Sequence, residues 1–482
     1  MPGRRDAMKT QEEISQIVAE LKIQGYYGIC FWLPVRSVGG GTLMFCQFAQ
    51  RILEMTDLNV YYVDYTDGYA HSLFPKESKI QFITYTQKAL TLPIQEPVIV
   101  VTSASRAAQI KALNPKSKIL LWNWDTNPVS WKVLFFQGEE KKYIINASQQ
   151  NALVFNDWSG RNQMEQQFQT NFVPYYLPVI LESGKDQPKC KTIGRDEINL
   201  GWLGRLTADK IFSLYNLIDN FEAIQISGKK RLHIIGDGQY YKQIQAYCNS
   251  QIKSIEVIMV GTLQKNIPEE QIEEANICPL YQYLSSQVDI LFAMGTSVLE
   301  GAALGIPSVS VFLDTKRFYE NSFSWIFDAK EYCLGVTNQQ KNNYDIPCYT
   351  LEKIINTVKK DKTALGERCR QYYQKNHSNL TQNMKTLLTF ARDTKLTIAQ
   401  HIKLLKYVPY NAMTITQLKS AGILIGAVIH FANHTYYKLF GITLMEVIEE
   451  GKHKMYRPFG LKTMFHTFKK EGYIFRSEQF KG

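Results

Sequence analysis

The residues of this chain whose types and spacing could do chemistry lie in its second half. Arg205 and Lys210 follow the apolar stretch INLGWLG, and Glu300 follows DILFAMGTSVL. An arginine can hold a phosphate through two parallel hydrogen bonds, while a lysine acts as a point charge. The run 289–311 reads as strand, tight turn, helix, strand. Gly295 makes the turn, Thr296 and Ser297 can cap the helix, and Gly305-Ile306-Pro307 stops it. A helix that begins there turns the amides of Thr296, Ser297 and Val298, and its positive dipole end, toward an anion. Glu300 lies one turn in, where a carboxylate can accept from two ribose hydroxyls. An ordinary strand–helix–strand crossover with an early-helix acid has the same pattern, and most surface Arg and Lys side chains are only solvated.

The elements that must position these residues repeat one theme. INLGWLGRLTADK (198–210), RLHIIGDGQYYKQI (231–244), VIMVGTL (257–263) and 289–311 each read as a strand ending in a glycine turn. Ligands of a doubly wound sheet sit at the carboxyl ends of its strands, so all four turns are expected to open onto one crevice. That brings Gly204, Gly236, Gly261, Thr262 and Leu263 to the side where Arg205, Lys210 and Glu300 lie.

In this order the motifs GRL with its lysine, IIGDG, VGTL and LEGAALGIPSV resemble the GT-B class of glycosyltransferases. The branch they are most similar to is the large family-4-like one, which mostly retains anomeric configuration. The resemblance covers roughly residues 28–395 and is stronger in the second half. It implies two Rossmann-like, doubly wound α/β domains facing a central cleft. It also implies a nucleotide-diphosphate-sugar donor held mainly by the second domain, with Arg205 and Lys210 on the diphosphate, Gly261–Leu263 beside the base and Glu300 on the donor. The setting it implies is bacterial surface polysaccharide assembly, with a glycan or lipid-linked acceptor. One position departs from the pattern: Phe292, eight residues before Glu300, stands where the family commonly has a second glutamate. Backbone amides and hydroxyls at 293–297 are expected to take over that role. A sugar-nucleotide epimerase, a phosphorylase, or a degenerate glycan-binding or partner subunit remain the alternatives.

The first half carries weaker signals. Strands are expected at 28–33, 59–63, 80–85, 97–102, 118–123 and 151–156, with helices at 12–24 and 104–112. Gly39-Gly40-Gly41 lets backbone approach a ligand, with Thr42 as a helix cap, and the family has a similar glycine pair at Gly40 and Gly41. WNWDTNPVSW (122–131) follows a strand end. Its tryptophans are either a sugar platform or core, and Asp125 is the candidate polar residue at the reaction centre. His71 is the only histidine before residue 233.

Length and composition bound the rest. The 482 residues suit two or three domains, and 45% apolar content is ordinary for a globular chain. The expected division is residues 1–184, a polar linker 185–198, a nucleotide-sugar domain 199–375, a crossover helix 376–395 and an extension 396–482. Eight scattered cysteines without metal-ligand spacing read as reduced thiols, hence a cytoplasmic setting. No signal peptide is read at the N-terminus. No DxD triplet occurs, so no metal cofactor is expected; Arg205, Lys210 and the helix dipole would replace it. Residues 395–482 hold 13 Lys/Arg against 5 Asp/Glu, 8 of the chain's net +11. With its aromatics this extension reads as mainly helical: either a membrane-surface element or a small helical domain with a solvated basic face. Nucleic acid is not an expected partner, and the oligomeric state is not readable.

Overall fold

The computed structural model describes residues 2–36, 39–74, 77–85, 94–110, 113–124, 140–182, 190, 196–263 and 278–405, and seven strands between 414 and 475. The first sheet contains β1 (Gly28–Trp32), β2 (Asn59–Asp64), β3 (Gln81–Thr84), β4 (Val98–Ser103), β5 (Lys118–Asn123) and β6 (Leu153–Phe155). Its order is β3-β2-β1-β4-β5-β6, and every pairing is parallel. The strands read as continuous apolar runs because both faces are covered. One face packs α1 (Pro2–Ile23) and α2 (Gly40–Met55) on Phe31, Tyr62, Val101 and Trp122. The other packs α3 (Glu140–Gln149) and α4 (Trp158–Phe168) on Val63, Val100 and Leu121. The expected helix at 104–112 is a 3-10 turn over Ala104–Gln109.

The second sheet contains β7 (Glu197–Leu203), β8 (Lys229–Ile235), β9 (Ile255–Gly261), β10 (Ile290–Ala293), β11 (Ser308–Ser310) and the two-residue β12 (Ser324–Trp325). Its order is β12-β11-β10-β7-β8-β9, parallel except for the β11–β12 pair. Around it lie α5 (Ile211–Ala223), α6 (Tyr241–Gln251), α7 (Pro279–Gln287), α8 (Thr296–Leu304) and α9 (Leu351–Asn376). The chain then crosses back. α10 (Leu380–Asp393) buries Leu380, Met384, Leu387, Leu388 and Ala391 in the core shared by α1 and α2. Two doubly wound α/β domains joined by a returning helix are the GT-B arrangement.

Two expectations about the C-terminal part need correction. The boundary at 396 falls inside the first domain. Leu396 and Ile398 are fully buried there, Ile119 N–H bonds to Leu396 O at 2.8 Å, and Tyr143 Oη lies 2.8 Å from His401 Nδ1. The helix α11 (Ile398–Leu405) closes this segment. Beyond it the extension is a sheet, not a helical module. Strands β13 (Thr414–Ser420), β14 (Ile423–Phe431), β15 (His434–Leu439), β16 (Ile442–Glu450), β17 (His453–Pro458), β18 (Thr467–Phe468) and β19 (Tyr473–Phe475) pair in the order β13-β14-β15-β16-β17-β19-β18. All pairs are antiparallel except β17–β19. The apolar run 421–445 resembles one helical span, but β14, β15 and β16 divide it into pieces of strand length rich in β-branched and aromatic residues. Among the described residues no helix is long and apolar enough to cross a membrane.

Candidate functional site

The second sheet has its switch point between β7 and β10. The two strands pair in register, Trp202 with Phe292 and Leu203 with Ala293, so Gly204 and Met294 leave the sheet side by side. From there the chain winds outward on opposite sides, through α5 to β8 and through α8 to β11. The crevice this leaves at the carboxyl ends is where a doubly wound sheet takes its ligand.

Backbone bonds lock the glycine turns to one another. Gly204 N–H donates to Ile235 O at 3.0 Å, Leu206 N–H to Asp237 O at 2.9 Å, and Gly236 N–H to Gly261 O at 2.8 Å. Gly236 has φ +137°, and a Cβ there would lie 2.1 Å from Gly204 O. Only glycine satisfies both the conformation and the close approach.

This turn carries the two cations. Arg205 is exposed and Lys210 half-buried, between the buried anchors Leu206 and Ile211. The Lys210 stem lies across Gly204: a Cβ on that glycine would come within 3.6 Å of Lys210 Cδ. Burial pushes the Lys210 ammonium below its ordinary range; the charge of Asp209 opposes this and that of Arg205 adds to it. Among the described residues neither cation has an ion-pair partner. Two cations repelling each other at a switch point are an arrangement that an anion would stabilise.

The opposite wall is the start of α8. Its cap is Gly295, at φ 61° and ψ −143°, a conformation essentially restricted to glycine; Thr296 is the first helical residue and not the expected cap. Gly295 N–H donates to Leu334 O at 2.8 Å and Val298 N–H to Gly295 O at 3.3 Å. Both amides are thus engaged. Thr296 and Ser297, both half-buried, are the positions where helix geometry leaves amides for an anion. Glu300 is 7% exposed, and Tyr281 Oη donates to its Oε2 at 2.7 Å. Burial, then the Glu300 charge, pushes the Tyr281 hydroxyl far up, so it stays a donor. Tyr281 was not among the sequence candidates; only its place just after Pro279, at a helix start, marks it.

Phe292 is fully buried in the second-domain core, edge-on to Phe323 at 5.4 Å. The position belongs to packing, not to the crevice. Gly261 (φ +77°) has open space where a Cβ would point, with Thr262 exposed and Leu263 half-buried. β9 lies two strands from β7, about 10 Å away.

The first domain presents less. The cap of α2 is Gly39, and Thr42 is buried in the first turn instead of capping it. Gly40 faces open space. Gly41 is small because Trp124 lies over it, 3.1 Å from where its Cβ would be. Trp122 is core, 0% exposed and stacked on Phe45, and Trp124 meets Phe45 edge-on at 5.1 Å. His71 stacks on Phe82 at 4.0 Å and its Nε2 lies 3.0 Å from Tyr65 O, a structural role. Asp125 and Trp131 lie outside the described residues.

No family model matches the chain, and no curated protein matches it. Solved structures do resemble it. Anabaena HepE in complex with UDP and glucose is 12% identical over 76% of this chain and 98% of its own, with a TM-score of 0.44. A glycosyltransferase from Rickettsia africae is 14% identical over 76% and 98%, with a TM-score of 0.47. WaaG, a glycosyltransferase involved in lipopolysaccharide biosynthesis, is 11% identical over 75% and 99%, with a TM-score of 0.42.

Proposed function

We propose that the chain is a GT-B glycosyltransferase that moves a sugar from a nucleotide-diphosphate donor to a glycan or lipid-linked acceptor. The observation that carries this reading is the switch point itself. Two cations without an ion-pair partner among the described residues stand beside the Gly295–Ser297 helix start, with the Tyr281-held carboxylate of Glu300 one turn in. Arg205, Lys210 and the amides of Thr296 and Ser297 would stabilise the charge that grows on the leaving diphosphate. Glu300 would accept from ribose hydroxyls, and Gly261–Leu263 would line the base. If configuration is retained, a donor phosphate oxygen can take the acceptor's proton, so the protein supplies no base. Metal independence belongs to the same proposal, because fixed cations and amides take the metal's electrostatic part. The eight free thiols fit a reducing compartment.

Phe292 supports a second reading, a binding subunit without turnover, since no carboxylate can reach the crevice from that position. A thermal-shift panel with UDP, GDP, ADP, CMP and their sugar conjugates tests the donor site. At a hundredfold excess over Kd, one nucleoside diphosphate should add about 2.7 kcal/mol, a rise of a few degrees. A flat panel rejects the donor site. Binding without transfer to any acceptor selects the subunit reading.

A further inference from the structure

We propose that Trp202 is a further donor-binding residue, whose indole N–H donates to a phosphate oxygen of the diphosphate at the Gly204 turn. This rests on the donor site proposed above and names a group in it that the cations and the helix start do not supply.

Trp202 stands on β7 two residues before Gly204 and is fully buried. Its Nε1 is buried too and has no hydrogen-bond partner. A buried indole N–H ordinarily finds an acceptor, and leaving it without one destabilises the fold. Trp32 and Trp122 carry the same orphan, but those two lie among rings. Trp32 meets Tyr85 edge-on at 5.9 Å, and Trp122 packs against Phe45, Phe48 and Trp124. Trp202 makes no ring contact among the described residues. Its N–H lies at the donor turn instead. A Cβ built on Gly204 would be 3.5 Å from Trp202 Nε1 and 3.6 Å from Lys210 Cδ. The indole nitrogen and the stem of Lys210 thus flank the same spot.

Gly204 itself points the same way. Its φ is not in the left-handed region, and an added methyl would make only ordinary van der Waals contacts. Neither conformation nor close approach therefore demands glycine at 204. What glycine does there is leave the indole N–H without a side chain in front of it. The remaining cover is the Lys210 stem, a flexible chain whose ammonium a diphosphate would draw to itself. The N–H can thus meet a ligand without any movement of backbone. Thr207, in the same turn, adds a second orphan: its Oγ1 is buried without a partner. Chemistry favours a neutral donor at this place. A third cation would add to the repulsion between Arg205 and Lys210, whereas an indole N–H brings a hydrogen bond to a charged acceptor and no charge of its own.

The test uses the full chain, with UDP, GDP and ADP as probes. Trp202→Phe keeps a ring in the core and removes the N–H. The nucleoside diphosphate that binds the wild type should bind this variant about tenfold more weakly by isothermal titration, the low end for one hydrogen bond to a charged group. In indole N–H NMR spectra of the wild type, the signal missing from Trp202→Phe should move downfield when that nucleoside diphosphate binds, and stay in place with the bare nucleoside. A residue that only fills the core would give neither result. Gly204→Ala sets a methyl in front of the N–H. It should fold with unchanged Tm and also bind about tenfold more weakly, and it decides the matter if Trp202→Phe fails to fold. Unaltered affinity in either variant, or an indole signal that ignores the nucleoside diphosphate, would overturn the role of Trp202 and leave the donor site standing. A wild type that binds none of these probes overturns the donor site itself, and this inference with it.

Discussion

The two doubly wound domains share one topology but finish their crevice-facing strand ends by different means. In the second domain the ends are zipped backbone to backbone: Gly204 to Ile235, Leu206 to Asp237, Gly236 to Gly261. Because the peptides satisfy one another, Arg205 stays exposed for a ligand. In the first domain side chains do this work. Asp64 accepts the amides of Val35, Tyr65 and Ala70 at 2.9, 2.8 and 3.2 Å, and Asn123 Nδ2 donates to Gly160 O at 3.2 Å. Here Asp64 and the Asn123 amide nitrogen hold loops, and Trp124 covers Gly41. A rigid, cation-bearing wall opposite a wall held by side chains suits the fixed donor proposed above.

The largest expected effect tests the cation-bearing wall. Arg205→Ala should lower kcat/KM by about 10²–10³-fold and remove the thermal shift with nucleoside diphosphate, leaving the apo Tm unchanged. Transfer at the wild-type rate would end the diphosphate assignment. Next, Gly236→Ala forces a Cβ to 2.1 Å from a carbonyl at φ +137°. It should cost about 3 kcal/mol and lower Tm by several degrees. Gly41→Ala is its partner measurement in the first domain, where only a ring edge has to move; there the loss should stay below about 1 kcal/mol. Equal losses at the two sites would erase the contrast between the domains. Glu300→Gln should weaken nucleoside diphosphate binding about tenfold by isothermal titration. Tyr281→Phe is the smallest change, a few-fold at most. A Tyr281→Phe variant weaker than Glu300→Gln would mean that the hydroxyl itself meets the ligand.

What the sequence by itself determined is the glycine and cation framework. Apolar runs ending in Gly236, Gly261 and Gly295 announce strand ends at which the backbone must adopt conformations that other residues rarely can, and that is a local property. The helical segment 351–376, expected as one helix but kinked at Asp361 (φ −154°, ψ 79°), and the returning helix were legible too, because buried apolar residues recur at helical spacing. The tertiary structure decided matters that depend on which segments meet. It placed Phe292 in the core and laid Trp124 over Gly41. It gave Glu300 its partner Tyr281, from a helix that the sequence does not link to it. It made Gly295, not Thr296, the helix cap, because Leu334 comes to receive its amide. It also turned the apolar C-terminal run into strands, since short segments of that composition suit either period until pairing partners exist. Local backbone demands are written residue by residue; partners across the crevice exist only once the chain has closed.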